Sequence, residues 1–346
     1  MKRAAIAFAV GLMLVAHGCQ GPGVARNEIP EDPIAFIFHP EDEARRRAEA
    51  HAKRNPPQDR SGFENPSVVH LNTFRDYLTK SFGRRVDDEF PGRLSLLNPR
   101  SRQVTVVESA RSGAIPLAWS PGRDRLLLAQ WDQGKLQLFE FERDARVVSQ
   151  LTGGPDHHPQ GCYGPGGWLI AVVARRPGST GGRPDRGRLV SQIAALGPGD
   201  ALEPISPGPM DGEPACSPDG SAVAYVRILS DVRSEIWIHS FGGEEPARAI
   251  AQGREPSFSP DGEWIVYSRA VGKTPALWRI RRDGTGRTRI GRGSGADEYG
   301  PAVSPDGSLV VYESVAGNRY RLFVRRFDGT GDSVLFSDGD GTHAVW

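Results

Sequence analysis

The chain has 346 residues, with 43 Lys plus Arg against 42 Asp plus Glu, and its formal net charge of +1 offers no global field to a polyanion. Its 42 glycines and 28 prolines imply that much of the chain is turn, and a hydrophobic content of 38% supplies a core if the apolar residues alternate in strands. A polytopic membrane protein, a disulfide scaffold and a wholly disordered chain are excluded, and a nucleic-acid partner is disfavoured.

Residues 1–19 read as an export signal. Lys2 and Arg3 are followed by an uncharged apolar run, Ala4 to Ala16, and then by small residues before Cys19. The run has thirteen residues, short of the about 20 that cross a bilayer as a helix. Val15-Ala16-His17-Gly18-Cys19 resembles a bacterial lipoprotein lipobox, which implies a lipid on the Cys19 thiol and a mature chain starting there. Residues 20–30 are expected as a flexible linker. A single β-propeller domain is expected over 31–346.

Ile34-Ala35-Phe36-Ile37-Phe38 reads as a buried strand. A helical insert at about 40–88 follows, with a polar helix from Glu41 to Arg54 and a shorter apolar-faced one carrying Phe74, Tyr77, Leu78 and Phe82. Leu94-Ser95-Leu96-Leu97 and Val104 to Glu108 form a hairpin.

From residue 117 onward a repeat takes over. Glu213-Pro214-Ala215-Cys216-Ser217-Pro218-Asp219-Gly220 recurs as Glu255-Pro256-Ser257-Phe258-Ser259-Pro260-Asp261-Gly262 and as Pro301-Ala302-Val303-Ser304-Pro305-Asp306-Gly307. Worn copies stand at Leu117-Ala118-Trp119-Ser120-Pro121-Gly122 and Cys162-Tyr163-Gly164-Pro165-Gly166-Gly167. Counted at the Ser position, the copies fall at 120, 164, 217, 259 and 304, a period of about 45 residues. That is the length of one four-stranded propeller blade.

In each copy Pro-Asp-Gly closes a first hairpin. Proline presets φ, the aspartate bonds its own turn and the glycine takes positive φ. A second strand follows, such as Ala222 to Arg227 or Trp264 to Arg269, then a third written Ile236-Trp237-Ile238 or Leu277-Trp278-Arg279. Asp283-Gly284 or Asp328-Gly329 leads to a fourth.

The chain stops at His343-Ala344-Val345-Trp346, which matches only the start of a first strand, whereas the Leu94 hairpin has no first strand before it. Both belong to one blade, whose second strand is Ile34 to Phe38 or, as an alternative, Ser67 to Leu71. The expected fold is therefore an all-β, six-bladed propeller of four-stranded blades, closed by pairing N- and C-terminal segments so that no edge strand is left free.

The repeat block, with its aromatic second strand, Leu-Trp and Asp-Gly, resembles the WD40-like (PD40) repeat of the TolB propeller family. The resemblance implies a periplasmic protein that binds envelope partner proteins through its propeller. TolB proteins carry a separate N-terminal α/β domain, and here only the insert follows the signal.

Loops that lead into the innermost strands of a propeller meet at one mouth of its channel, and here they place His157, His158, Asp211, Glu213, Arg254, Glu255, Asp297, Glu298, Tyr299 and His343 as a candidate binding ring. No metal, cofactor or catalytic residue is assigned. His157-His158 with Asp156 lacks a third ligand at a telling spacing, and Asp338-Gly339-Asp340-Gly341 lacks the remainder of a calcium loop. Neither a Gly-x-Ser-x-Gly elbow nor a separate hydrolase domain occurs. Cys162 and Cys216 fall one register position apart in adjacent repeats, so their side chains are expected on opposite strand faces, which favours two buried free thiols over the alternative of a bond between them.

The leading reading is an exported, lipid-anchored, monomeric and non-enzymatic interaction module, in the periplasm or on the outer membrane. It touches the membrane only through Cys19 and has an envelope protein as partner. Two alternatives are a carbohydrate-active or metal-dependent enzyme, using acids such as Glu213 and Glu255 with His158 or His343, and a small-ligand-binding sensor lipoprotein.

Overall fold

The computed structural model describes residues 23–46, 92–175, 190–197, 202–230, 233–271, 274–291, 296–316, 319–335 and 339–346. The signal with Cys19, the remainder of the first insert helix, the Phe74 to Phe82 helix and the alternative Ser67 to Leu71 strand lie outside these residues. Helix begins at residue 41 and continues to 46, where the description stops.

Six antiparallel sheets of four strands each make the blades. From the channel outwards, blade 1 comprises Ile115–Trp119, Arg125–Asp132, Lys135–Glu142 and Val147–Gln150, and blade 2 comprises Gly161–Tyr163, Leu169–Arg175, Val190–Leu196 and Leu202–Pro204. Blade 3 is Asp211–Cys216, Ala222–Ser230, Arg233–Ser240 and Arg248–Gln252. Blade 4 is Arg254–Phe258, Trp264–Val271, Thr274–Arg281 and Thr288–Arg289, and blade 5 is Asp297–Val303, Leu309–Ala316, Arg319–Arg326 and Ser333–Val334. Blade 6 is sewn from both ends: Gly339–Val345 is innermost, then Ile34–Pro40, Arg93–Leu97 and Val104–Val106. Ala35 stands opposite Val345 and His39 opposite Asp340, so the Ile34 segment is the second strand. The inner strands touch in order around the ring, and the sixth touches the first.

The core is divided among the seams between blades. Leu126 and Leu128 pack into the seam with blade 6, while Leu127 and Leu138 pack with Ala171 of blade 2. Successive residues of a second strand thus enter different seams, and both faces are buried. This is why these strands read as continuous apolar runs rather than as alternation. The same holds for Ala222, Ala224 and Val226 against blade 4, with Val223 and Tyr225 against blade 2.

That packing corrects the reading of the two cysteines. Cys162 and Cys216 form a disulfide with Cα atoms 5.7 Å apart. Side chains leaving opposite faces do not diverge in a ring, because the forward face of one blade meets the rear face of the next. One register position of offset is what points them into the same seam. The bond closes a loop of sequence separation 54, for which chain entropy predicts a stabilisation of about 4 kcal/mol. A double Cys162→Ser, Cys216→Ser variant should lose about that amount in denaturant unfolding, and dithiothreitol should remove a similar amount from wild type but nothing from the variant.

Of the expected linker, residues 20–22 lie outside the described residues. From Gly23 the chain lies packed on blades 5 and 6: Val24 and Ile29 join the apolar cluster of that seam, and Glu28 bridges Arg326 at 2.9 Å through two nitrogens. Arg100 Nε donates to the Ile29 carbonyl at 2.8 Å. Two apolar anchors and two arginines are enough to hold a segment that composition alone marks as loose.

Candidate functional site

Each inner strand runs from an upper mouth, where the preceding loop leads in, to a lower mouth, where it ends in the Ser-Pro-Asp-Gly turn. Near the upper end the strand carries a bulge: the pairing register shifts between Gly212 and Ala215, between Arg254 and Ser257, and between Tyr299 and Ala302. The bulge residues Glu213, Glu255, Gly300 and His343 have φ of 53, 54, 52 and 56°. Left-handed backbone at a bulge lifts the N–H out of the ladder.

These N–H groups are received by the preceding blade. Glu213 N–H donates to Gln160 Oε1 at 2.9 Å, Glu255 N–H to Glu213 Oε2 at 2.7 Å, and Gly300 N–H to Glu255 Oε2 at 2.8 Å. His343 N–H donates to Glu313 Oε1 at 2.5 Å. At Glu213 and Glu255 the side chain of one bulge secures the backbone of the next, and with Gln160 and Glu313 four seams are stapled in succession. Arg254 donates through Nε and Nη2 to the same Glu213 carboxylate, and Ser268 Oγ donates to Glu255 at 2.5 Å. Removing the Glu213 carboxylate takes an acceptor from both Arg254 and the Glu255 N–H. Glu213→Ala should thus lose about 2–3 kcal/mol in chemical denaturation, with an unchanged far-UV spectrum.

The remaining residues of the expected ring are also engaged within the fold. Asp211 is fully buried and takes both prongs of Arg227 at 2.9 and 3.0 Å. Glu298, 1% exposed, is held by Arg325, also 1% exposed. His157 Nδ1 accepts from the Leu136 N–H at 3.2 Å, and its ring meets Trp131 edge-on; His158 Nδ1 lies 2.9 Å from Gln137 Oε1. Tyr299 O–H donates to Asp297 at 3.4 Å, and burial raises its hydroxyl above the ordinary tyrosine range. The His343 side chain is exposed. No group of three potential metal ligands assembles among the described residues. The structure brings Glu213, Arg254 and Glu255 together, as a brace between blades.

The concave feature lies further down. A cavity of about 450 Å³ follows the inner strands to the lower mouth, with walls from all six blades. Its collar is formed by the last inner-strand residue before the turn in blades 1 to 5, Trp119, Tyr163, Cys216, Phe258 and Val303, and by Trp346, which follows Gly339–Val345 in blade 6. Four of the six are aromatic. Each also packs into or against a seam cluster, so the collar is rigid. Of the expected ring, Glu255 reaches this cavity. In the sequence the collar is the position before the repeat's Ser in blades 1, 3, 4 and 5, whereas the loop residues of the expected ring stand at the opposite mouth.

Around the collar stand the turns. Ser217 Oγ and Ser221 Oγ donate to the Asp219 carboxylate, which they hold below the ordinary aspartate range, and Ser259 and Ser304 make the same bond to Asp261 and Asp306. The fourth turn position is Gly220, Gly262 or Gly307, at φ 67, 72 and 74°. Blade 1 departs from this: Arg123 occupies that position at φ 57°, with the same turn bond, its N–H to the Ser120 carbonyl at 2.8 Å. A side chain in the left-handed region costs about 1–2 kcal/mol.

No protein-family model matches the chain. An uncharacterized protein of Agrobacterium fabrum is 33% identical over 76 residues, a match covering 21% of this chain and 26% of that protein. Among solved structures, TolB from Acinetobacter baumannii superposes with a TM-score of 0.63 at 16% identity, covering 92% of this chain and 68% of TolB. Putative TolB from Agrobacterium tumefaciens gives 0.57 at 20% identity, over 72% of this chain and 90% of its own. The fold is a TolB-type six-bladed propeller. Hydrazine synthase of Kuenenia stuttgartiensis reaches a TM-score of 0.62 at 11% identity over 91% of this chain and 46% of its own. An enzyme and TolB thus share the TolB-type scaffold, and function has to be argued from the site.

Proposed function

We propose that this TolB-type propeller is an exported, lipid-anchored, non-enzymatic module that binds a protein partner of the cell envelope at the lower mouth of its channel. The observation that carries the reading is the aromatic collar. It is a preformed, rigid socket with four aromatic residues in its collar, ringed by the turns of blades 1 to 5, the kind of surface in which a few buried anchor residues supply most of the binding energy. The carboxylates that would have served as acid and base, Glu213 and Glu255, are instead occupied by backbone N–H groups of the neighbouring blade.

Export and lipidation rest on the signal and on the lipobox-like run to Cys19. Among the described residues no helix is long and apolar enough to cross a membrane. Crosslinking of the mature protein in envelope preparations should give a protein adduct that Pro305→Glu, at the rim of the collar, diminishes. Adducts that are the same in wild type and variant, or none in either, would remove the partner reading. Mass spectrometry of the mature N-terminus tests the anchor separately: an unmodified peptide running through Cys19 refutes it.

A further inference from the structure

The geometry points to a second use of the lower mouth, as a binding site for a small amphipathic carboxylate, with Arg123 recognising the anionic head and the aromatic collar holding the apolar body. Arg123 stands where three other repeats place glycine, in the same left-handed turn. The scaffold has no need of an arginine there, because the turns of blades 3, 4 and 5 close with the same backbone bond around glycine. A side chain that breaks a local rule obeyed elsewhere in the same molecule, and that reaches a cavity, marks a site.

Arg123 lines the cavity. Its guanidinium lies over the Trp119 ring, 5.3 Å from the centroid, which fixes the plane of the fork beside the collar. Among the described residues, one of its five N–H donors makes a hydrogen bond, Nη2 to the Pro33 carbonyl at 3.3 Å, and Asp32 sits 3.5 Å from Nε. Donors remain for a bidentate partner, and carboxylate has the matching geometry. Burial pulls the guanidinium below its ordinary range, with Asp32 acting against that and Arg143 adding to it.

The rest of the wall agrees. The other charged lining residue, Glu255, already accepts from Ser268 and the Gly300 N–H, which leaves Arg123 as the group that selects the sign of a ligand's charge. Phe258, Val303 and Trp346 offer apolar surface, and about 450 Å³ suits a medium-length or phenyl-bearing alkanoic acid.

The inference goes beyond partner binding and is tested with the purified mature protein alone, so it stands or falls whether or not an envelope partner is found. A panel of straight-chain and phenyl-substituted alkanoic acids, each with its primary amide as uncharged control, is titrated calorimetrically. The expected result is an acid that binds at least tenfold more tightly than its amide. Arg123→Gly, which restores the glycine of the other turns, should abolish that preference while the melting temperature stays level or rises; a purely structural arginine would lower it. Arg123→Gln provides the same comparison with the side-chain volume retained, and Val303→Trp, filling the channel, should remove acid and amide alike. No binding across the panel, equal binding of acid and amide, or an undiminished preference in both Arg123 variants would overturn the inference.

Discussion

Arg325→Met should lower the unfolding free energy by about 3–5 kcal/mol, the expected cost of removing one member from a buried ionic cluster. Arg325 is 1% exposed, and all five of its N–H donors are used: one to Asp332, one to the Ile290 carbonyl, two to Glu298 and one to the Tyr312 hydroxyl. Tyr312 also lies beneath the guanidinium, 4.6 Å from its centroid, and donates to Asp332 at 2.9 Å. The cluster joins the inner, second and third strands of blade 5 to the Ile290 carbonyl of blade 4. Without the cation, the buried Glu298 is left without its counter-charge and the half-buried Asp332 loses its ion pair. Urea unfolding should show the loss as a lower midpoint at unchanged slope. Adding Glu298→Gln to the variant should recover part of it, since one of the two charges is then gone; a double variant no more stable than the single one would mean that packing, not charge, holds this seam.

Deleting residues 339–346 should abolish cooperative folding. The strand Gly339–Val345 is the inner strand of blade 6, and without it the backbone of Ile34–Pro40 loses its inner partner and becomes an open edge. Trp346 is 8% exposed and Ala344 6%, both in the cluster shared with blade 5. Loss of a buried tryptophan alone costs about 3–5 kcal/mol, and seven further residues of paired strand go with it, against a typical total stability of about 5–15 kcal/mol. Calorimetry should show no sharp transition, and a dye that reports exposed apolar surface should bind. Supplying residues 339–346 as a peptide should restore the transition in part. A truncated chain that melts as sharply as wild type would show that five blades and a partial sixth are sufficient.

Blade count, period and the sewn closure are written in local chemistry. Pro218-Asp219-Gly220 and its copies can hardly be anything but a tight turn, and each must be followed by a strand. The expected second strands coincide with the observed ones, which run longer: Ala222 to Arg227 is Ala222–Ser230 and Trp264 to Arg269 is Trp264–Val271, whereas the expected Val104 to Glu108 is the shorter Val104–Val106. Even the missing first strand of blade 6 could be inferred, since a ring must close and His343-Ala344-Val345-Trp346 fits the position.

The side chains at the upper mouth were legible as a set but not in their roles. Asp211, Glu298, His157 and His158 are polar residues in loops, which by composition suggests exposure, yet all four are buried. Their partners are Arg227, Arg325, Leu136 and Gln137, and no local pattern couples Glu298 to Arg325 or His157 to Leu136. Gly23 to Ile29 misled for the same reason: what holds that stretch is Arg326 and the seam cluster, far away in the chain.

The sequence by itself determined the architecture, six blades of four strands with the ring closed between its ends, because turn closure and strand pairing within a blade act over a few residues. Only the tertiary structure decided what the blades do to one another. It joined Cys162 to Cys216, made Glu213 and Glu255 staples, and placed Arg123 and the aromatic collar around one cavity. Each face of a blade packs on a different neighbour, so these contacts link residues one repeat or more apart, and their pairing follows from the rotation of blades about the channel, which no stretch of sequence encodes locally.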